Sequence, residues 1–440
     1  MPDIRVRGFA GSINSPNPFW LASAPPTNCG EQIMRAFDAG WGGAVWKTIG
    51  EPVTNVSSRY SATDWNGLRI MGFNNIELIS DRSVEDNLRE MAEVKKRYPH
   101  HAVIASLMVA STREAWHEIV VRAEDAGADG LELNFGCPHG MSERGMGSAV
   151  GQVPEYIEMV TRWCKTHSRM PVIVKLTPNV ASILPPAEAA HRGGADAVSL
   201  INTVNALMGV DIDLMAPSPH VDGMGTHGGM CGPVVKPIAL NMVASIARNP
   251  ATSGLPVSGI GGIENWRDAA EFMAVGAGNV QVCTAVMLYG FRIVAEMIDD
   301  LSAWMDEKGY TRVDDFIGKA TPRMTEWQHL NLDYVVKARI DQDLCIKCGR
   351  CHIGCEDTSH QAITSLKDGK RHFEVIEEEC VGCNLCAVVC PIENCITMVP
   401  LAEGEIDRRT GLKVGGHRTW LEHPNNPLAK DPRPAKFAGQ

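Results

Sequence analysis

The sequence contains no apolar run approaching the ~18 residues that a membrane-spanning helix requires. Its opening, MPDIRVRGFAGSINSPNPF, lacks the charged-then-apolar layout of a secretory signal. Basic stretches are missing too, as is any interleaving of aromatic with basic residues, and the net charge is −11. Nucleic acid and membranes are therefore not expected as partners. No Gly-x-Gly-x-x-Gly follows a candidate strand, so the chain shows no dinucleotide-binding fingerprint. What remains is the profile of an ordinary globular protein. Its 440 residues, 44% hydrophobic and 21% charged, suit two or three domains around a large buried core.

Cysteine breaks this plain pattern, with fourteen in the chain. Two copies of Cys-x2-Cys-x2-Cys-x3-Cys lie close together. The first is Cys345, Cys348, Cys351 and Cys355, and the second is Cys380, Cys383, Cys386 and Cys390, followed by Pro391. This is the bacterial ferredoxin spacing for two 4Fe–4S clusters, in which the last cysteine of each motif ligates the other motif's cluster. One cluster is then expected on Cys345, Cys348, Cys351 and Cys390, and the other on Cys380, Cys383, Cys386 and Cys355. Zinc sites and a disulfide scaffold are the competing readings, but zinc knuckles use paired Cys-x2-Cys units rather than a triplet followed by Cys-Pro. Clusters need reducing surroundings, so a cytoplasmic location is expected.

From about residue 18 to 310, short apolar runs alternate with longer amphipathic stretches. The strand candidates are 19–24, 43–48, 102–108, 130–135, 171–176, 197–202, 256–260 and 279–283, and most are apolar nearly throughout. Helical stretches include 113–127, 153–168, 235–249 and 265–276. This alternation predicts a (β/α)8 TIM barrel over residues 1–310, with a doubly wound sheet as the other architecture that periodicity allows. Segments 49–80 and 203–232 are too long for simple connections and are expected to cover one face. Residues 311–339 read as a linker and 340–400 as the ferredoxin-like domain. The 401–440 tail has no periodicity and is expected to strap over a partner or to lack structure.

Barrel chemistry gathers at the C-terminal ends of strands. The candidates there are Ser23, Lys47, Thr48, Asn134, Lys175, Asn202, Thr203, Gly261, Gly262, Cys283 and Thr284. Lys175 ends an apolar Val-Ile-Val run and is expected to point into the mouth, where a cation stabilises the N1–O2 edge of a reduced flavin. Gly259-Ile260-Gly261-Gly262 and Cys283-Thr284 follow the last two strands, where barrels commonly bind phosphate through backbone N–H groups. A tight turn before a helix capped by Asn265 is the structural alternative. Clusters handle single electrons and organic substrates take pairs, so a converter is needed; FMN, with its one phosphate, fits.

After the fourth strand comes Asn134-Phe135-Gly136-Cys137-Pro138-His139-Gly140, leading into Met141-Ser142-Glu143-Arg144-Gly145-Met146-Gly147-Ser148. The glycines suggest a flexible lid over the mouth. A flavin enzyme that reduces an activated C=C bond needs an acid on the face opposite the flavin, and Cys137 is the candidate. A small buried hydrophobe is the alternative role for that cysteine. Asn75, Asn134 and Asn202 offer paired donors and acceptors that suit a ring of alternating N–H and C=O, although asparagines often serve only in turns.

On these residues, together with NPFWLASA, PVTNVSSR, FNNIELIS, ERGMG, VKLTPN, INTV and QVCTAV, the chain resembles the FMN part of dihydropyrimidine dehydrogenases with their attached ferredoxin domain. The resemblance covers roughly residues 18–400. It implies reduction of the 5,6 double bond of uracil or thymine, with hydride from FMN N5 to C6 and a proton from Cys137 to C5. It further implies Asn75, Asn134, Asn202 and Thr203 around the ring. Ser23, Lys47, Thr48, Lys175, Gly232, Gly261, Gly262, Cys283 and Thr284 match the FMN contacts. The missing dinucleotide fingerprint makes the chain similar to the catalytic subunit of the two-subunit bacterial enzyme. That likeness implies a partner flavoprotein carrying FAD and NAD, and a homodimer or heterotetramer. Two positions depart from the family: Gly136 stands where serine usually precedes the cysteine, and Cys231 where serine precedes the phosphate-site glycine. Both bear on ring selectivity. Dihydroorotate oxidation on the same barrel is an alternative, with Arg144 as the candidate contact for a carboxylate, and a non-catalytic electron-transfer adaptor is another.

Overall fold

The computed structural model describes residues 2–67, 69–137, 145–358 and 360–430. The chain divides into two compact units, Met1–Arg323 and Met324–Gln440. The expected lid residues 138–144, Arg144 among them, lie outside the described residues.

In the first unit eight parallel strands close into a barrel: β1 (Phe19–Leu21), β2 (Gly43–Val45), β3 (Ala102–Leu107), β4 (Gly130–Asn134), β5 (Val172–Lys175), β6 (Ala197–Leu200), β7 (Val257–Ile260) and β8 (Ala277–Val282). Each pairs with its successor, and β8 returns to β1 through Val280↔Phe19, Gln281↔Trp20 and Val282↔Leu21. Closure sets aside the doubly wound alternative. Every residue of β3, β4, β5, β6 and β7 is buried, which explains their near-continuous apolar sequences. Most strands stop one to three residues before the apolar runs do. Those last residues leave the ladder and turn into the mouth, which is where Ser23, Lys47, Thr48 and Asn202 lie.

The crossovers are helices α1 (Gly30–Ala39), α2 (Val84–Arg97), α3 (Arg113–Asp125), α4 (Pro154–His167), α5 (Leu184–Arg192), α6 (Lys236–Arg248) and α7 (Trp266–Ala274), with α8 (Ile293–Lys308) after the last strand. Their starts are locally encoded. Ser83 and Thr112 accept the N–H groups of Asp86 and Ala115. Asn265 accepts from Arg267 and Asp268, while the Asp268 carboxylate accepts the Asn265 N–H. The hairpin Val6–Phe9/Ile13–Ser15 buries Val6, Phe9 and Ile13 in one cluster with Trp20, Val45, Ile104 and Ile173. Phe9 meets the Trp20 ring edge-on at 5.6 Å.

The two long excursions each contribute two strands to one antiparallel sheet. Its order is Val204–Ala206, Gly228–Cys231, Arg69–Asn75, Tyr60–Trp65, with Asn75 opposite both Gly229 and Tyr60. Asn75, Phe73, Tyr60, Met230 and Cys231 line the cleft at the C-terminal ends of the barrel strands.

The second unit is built on the antiparallel pair Val336–Ile340/Ile396–Pro400. Each cysteine motif makes the same local turn. Gly349 and Asn384 take left-handed backbone (φ +87° and +69°), and each opens a short helix that buries the third cysteine, Cys351 or Cys386. Residues 401–430 pack back on their own unit, a correction to the expectation that this part of the tail lacks structure. Lys337, almost completely buried, makes a 2.6 Å ion pair with Asp407, and its ammonium also donates to the Cys380 carbonyl at 2.7 Å. Trp420 packs on Trp327, and Arg418 pairs with Asp333.

Burial works against the Asp407 carboxylate, but the donors Lys337 and Thr410 outweigh it and hold its pKa below the usual carboxylate range. Its contribution to stability is therefore complete above the unfolded pKa, and it is lost as pH falls through the lowered folded value. Lys337→Met should destabilise this unit by about 3–5 kcal/mol, because it strands a buried carboxylate. Denaturant unfolding checks this; an unchanged midpoint would show that the pair contributes nothing.

Candidate functional site

One cleft, about 1170 Å³ including its open mouth, lies at the C-terminal ends of the barrel strands. All fourteen barrel positions singled out from the sequence line it: Ser23, Lys47, Thr48, Asn75, Asn134, Cys137, Lys175, Asn202, Thr203, Gly232, Gly261, Gly262, Cys283 and Thr284. The strand ends converge here, so residues separated by more than two hundred positions share one wall.

The floor is polar and tightly bonded. Thr48 Oγ1 is a hub, bonded to Ser23 Oγ at 3.1 Å and Ser106 Oγ at 2.9 Å, and it accepts Asn134 Nδ2 at 2.9 Å. Asn134 Oδ1 in turn accepts Asn202 Nδ2 at 3.1 Å and the Gly136 N–H at 3.2 Å. Asn202 Oδ1 accepts the Thr203 N–H at 2.8 Å. The order of donors is thereby fixed from β2 across β4 to the end of β6, and the asparagines are held as oriented amides rather than loose turn formers.

Two buried lysines enter the cleft, each beside a carboxylate. Lys47 is paired with Glu77, and both side chains are 7% exposed. The Tyr60 hydroxyl donates to the same carboxylate. Burial first, and then the Glu77 contact, push the Tyr60 phenol up to about 12, so it stays a neutral donor. Lys175 Nζ lies 3.6 Å from Oε1 of Glu132, a carboxylate with no exposed surface. Glu132 Oε2 accepts Ser199 Oγ at 2.8 Å and Gln281 Nε2 at 3.1 Å. Neither Glu77 nor Glu132 was singled out from the sequence. Both could have been, since each is a lone charge inside an apolar context, Asn-Ile-Glu-Leu-Ile and Gly-Leu-Glu-Leu-Asn.

Gly232, Gly261 and Gly262 all have positive φ (+87°, +133° and +70°). A β-carbon on Gly262 would lie 2.8 Å from the Gly232 carbonyl oxygen, so only glycine lets these turns meet. Beside them Thr284 Oγ1 donates to Cys231 Sγ at 3.1 Å. Burial pushes the Cys231 thiol up to about 11 and raises Cys283 further, which keeps both neutral. A side-chain-free cradle next to a polar floor fits a ring-bearing monophosphate. The floor also keeps an acceptor in reserve: Gln281 Oε1 is buried with no hydrogen-bond donor among the described residues.

Cys137 is 8% exposed and packs with Ile79, Met108 and Met146. A β-carbon on Gly147, at φ +57°, would lie 3.1 Å from Cys137 Cβ, and the Ser148 N–H donates to the Cys137 carbonyl at 3.1 Å. The described end of the glycine-rich segment therefore anchors the cysteine.

In the second unit Cys345, Cys348, Cys351 and Cys390 line one pocket, and Cys355, Cys380, Cys383 and Cys386 line another. Each pocket combines three cysteines of one motif with the last of the other. Among the described residues no three His, Cys, Asp or Glu side chains converge closely enough for a single metal ion. Three cysteines of one motif with the last of the other is the ligand set of a ferredoxin with two cubanes. A ninth cysteine, Cys395, lines the first pocket.

Family models match along most of the chain: dihydroorotate dehydrogenase over residues 10–305 and a 4Fe-4S dicluster domain over residues 338–398. The NAD-dependent dihydropyrimidine dehydrogenase subunit PreA of Escherichia coli is 40% identical over 406 residues, which is 92% of this chain and 96% of that protein. The chloroplastic NADP(+) dihydropyrimidine dehydrogenase of Arabidopsis thaliana is 38% identical over 79% of this chain and 83% of its own length. The catalytic subunit of dihydroorotate dehydrogenase B from Pyrococcus abyssi is 38% identical, but over only 70% of this chain, with 96% of its own length covered. With its closed barrel, its two pockets of cysteines and these relatives, the chain belongs to the dihydroorotate dehydrogenase family and carries the 4Fe-4S dicluster domain, as a relative of the dihydropyrimidine dehydrogenase subunit PreA.

Proposed function

We propose that the chain reduces the 5,6 double bond of uracil or thymine, as the catalytic subunit of an NAD-dependent dihydropyrimidine dehydrogenase. The observation that carries this reading is the convergence of Cys137, three asparagines and two buried lysines in one barrel mouth. The relative that matches along 92% of the chain is a dihydropyrimidine dehydrogenase subunit, which supports the same assignment.

FMN, when bound, supplies the hydride for C6 of the ring. The chain does the rest. Gly232, Gly261, Gly262, Cys283 and Thr284 would hold the FMN phosphate, and Ser23, Lys47, Thr48 and Lys175, which line the same cleft, would hold the flavin ring system. Lys175, whose ammonium lies 3.6 Å from the Glu132 carboxylate, would offset the negative charge of a reduced flavin. Asn75, Asn134, Asn202 and Thr203 grip the N–H and C=O edges of the pyrimidine, and Cys137 gives its proton to C5. The two 4Fe–4S clusters would relay electrons from a partner flavoprotein holding FAD and NAD. In this reading the first unit, Met1–Arg323, carries the chemistry and the second, Met324–Gln440, the clusters, so the expected linker 311–339 is divided between the two units. No described helix is long and apolar enough to cross a membrane, in keeping with work in the cytoplasm.

Orotate differs from uracil by a carboxylate. Among the described residues the cations lining the cleft are Lys47 and Lys175, and each already faces a carboxylate. Arg144, the candidate contact for the orotate carboxylate, lies outside the described residues. The dihydropyrimidine dehydrogenase subunit that matches along 92% of the chain favours the uncharged ring, and the oriented amide network argues against an adaptor without activity. Titrating the oxidised, FMN-loaded protein tests the reading. Uracil and thymine should perturb the flavin spectrum and orotate should not; a response to orotate alone would overturn it.

Cluster assignment carries its own prediction. Cys355→Ala should remove the cluster of the second motif and spare that of the first, lowering iron content by about half. Iron analysis with electron paramagnetic resonance reads this, and loss of the first motif's signal instead would contradict the crossed ligation.

A further inference from the structure

The two cysteine motifs sit in different electrostatic surroundings. At the first, an exposed guanidinium, Arg371, donates to the Cys348 carbonyl at 3.2 Å. At the second the cation is buried: Lys337 Nζ donates to the Cys380 carbonyl at 2.7 Å and to the Glu377 carbonyl at 3.2 Å. Its charge is balanced from the tail by Asp407 at 2.6 Å, and the two side chains are 1% and 5% exposed. Asp407 is held in turn by Thr410 Oγ1 at 2.8 Å and by the Arg409 N–H at 3.2 Å. Its backbone accepts the Gly411 N–H and donates to the Leu412 carbonyl. Strand Val336–Ile340 lies hard against the cysteine loop, because a β-carbon on Gly382 would overlap the Val336 carbonyl oxygen. The neighbouring pairs of Glu377 with Arg339 and Arg408 have exposed arginines and are screened by solvent.

We propose that the Lys337–Asp407 pair sets the reduction potential of the second motif's cluster, with Asp407 as the balancing charge supplied by the tail. The inference rests on Cys380 being a ligand of that cluster. Stability alone does not call for charges here, since well-packed apolar residues of similar volume often replace a buried ion pair without loss. The orientation of the pair does what apolar residues cannot. The ammonium bonds the cysteine loop directly, whereas the other partners of the carboxylate, Thr410 and Arg409, belong to the tail. Reduction adds a negative charge to a cluster. A positive end facing the loop favours the reduced form, and the Asp407 charge takes back part of that effect. Because both groups are buried, water and salt weaken the influence little. Residues 401–430 thus have a task beyond packing. They bring to the second cluster a countercharge that the cysteine motif does not itself contain.

The test is a redox titration of the full, cluster-loaded chain, followed by electron paramagnetic resonance. The step that is missing in Cys355→Ala identifies the second motif's cluster. Asp407→Asn keeps the shape of the side chain and leaves the ammonium unbalanced. It should move the one-electron equilibrium of that step about tenfold toward the reduced form, ~59 mV upward, and leave the other step in place. Lys337→Met/Asp407→Asn removes both charges and should bring the step below its position in the unmodified chain. The expected order of potentials, from high to low, is Asp407→Asn, the unmodified chain, the double variant. An unmoved step in Asp407→Asn, a shift of both variants in one direction, or equal movement of the two clusters overturns the proposal; a merely structural role predicts such results. If Asp407→Asn does not fold, the double variant decides: a lowered step supports the proposal, while an unchanged or raised step, or failure of both variants to fold, overturns it. An unmodified chain with too little iron for two clusters would mark a failure of the cluster assignment, and the proposal would fall with it.

Discussion

Cys137→Ala should slow reoxidation of the reduced flavin by uracil about 10²- to 10⁴-fold, while uracil binding changes little. The thiol is the proposed donor for C5, and its position is well defined. It follows β4, packs with Ile79, Met108 and Met146, and is held from behind by Gly147 and the Ser148 N–H. Alanine leaves the backbone anchoring by the Ser148 N–H in place and removes the thiol, so the loss should fall on the chemical step. Among the described groups lining the cleft, Tyr60 is a weaker acid than an ordinary phenol, and Cys231 and Cys283 lie by the glycine cradle, so none replaces the donor. Anaerobic stopped-flow absorbance measures the rate. A Cys137→Ala protein that reoxidises at the normal rate would remove the cysteine from the mechanism.

Lys175→Met should destabilise the barrel by about 3–5 kcal/mol and weaken flavin binding. The methionine roughly fills the volume, but it strands Glu132, whose side chain has no exposed surface. Two neutral donors, Ser199 and Gln281, remain on one carboxylate oxygen. The other faces Lys175 and has no hydrogen-bond donor among the described residues. Adding Glu132→Gln should restore most of the stability and none of the flavin affinity, since it removes the buried charge without returning the cation. Urea unfolding of the flavin-free proteins, followed by flavin titration, separates the two effects. Equal stability of Lys175→Met and the unmodified chain would show that the pair is not coupled.

Much of this was legible in the sequence, for identifiable reasons. Barrel strands buried on both faces must be apolar throughout, so the runs around Val103, Val174 and Val198 mark them directly. The polar residues that end those runs are forced to the mouth by closure, and for that reason Lys47, Asn134, Lys175 and Asn202 could be named. The covering sheet was not legible. Gly228-Gly229 and Thr63-Asp64 carry no alternation of apolar and polar residues, because these strands pair over a cleft rather than over a core. Glu77 and Glu132 were passed over because a single charge in an apolar run reads as a local irregularity until its lysine is seen across the barrel. The tail misled in the opposite direction. Its Gly, Pro and charged residues suggested disorder, yet Asp407 is anchored by a lysine seventy positions earlier, which no local pattern reveals.

The central claim is that this cleft reduces an uncharged pyrimidine. Its most direct measurement is anaerobic: reduce the purified chain chemically, remove the reductant, add uracil, and follow flavin absorbance and dihydrouracil together. The account predicts flavin reoxidation matched by dihydrouracil formation, with no response to orotate. Reoxidation by orotate with uracil and thymine inert would contradict it and move the chain to dihydroorotate chemistry.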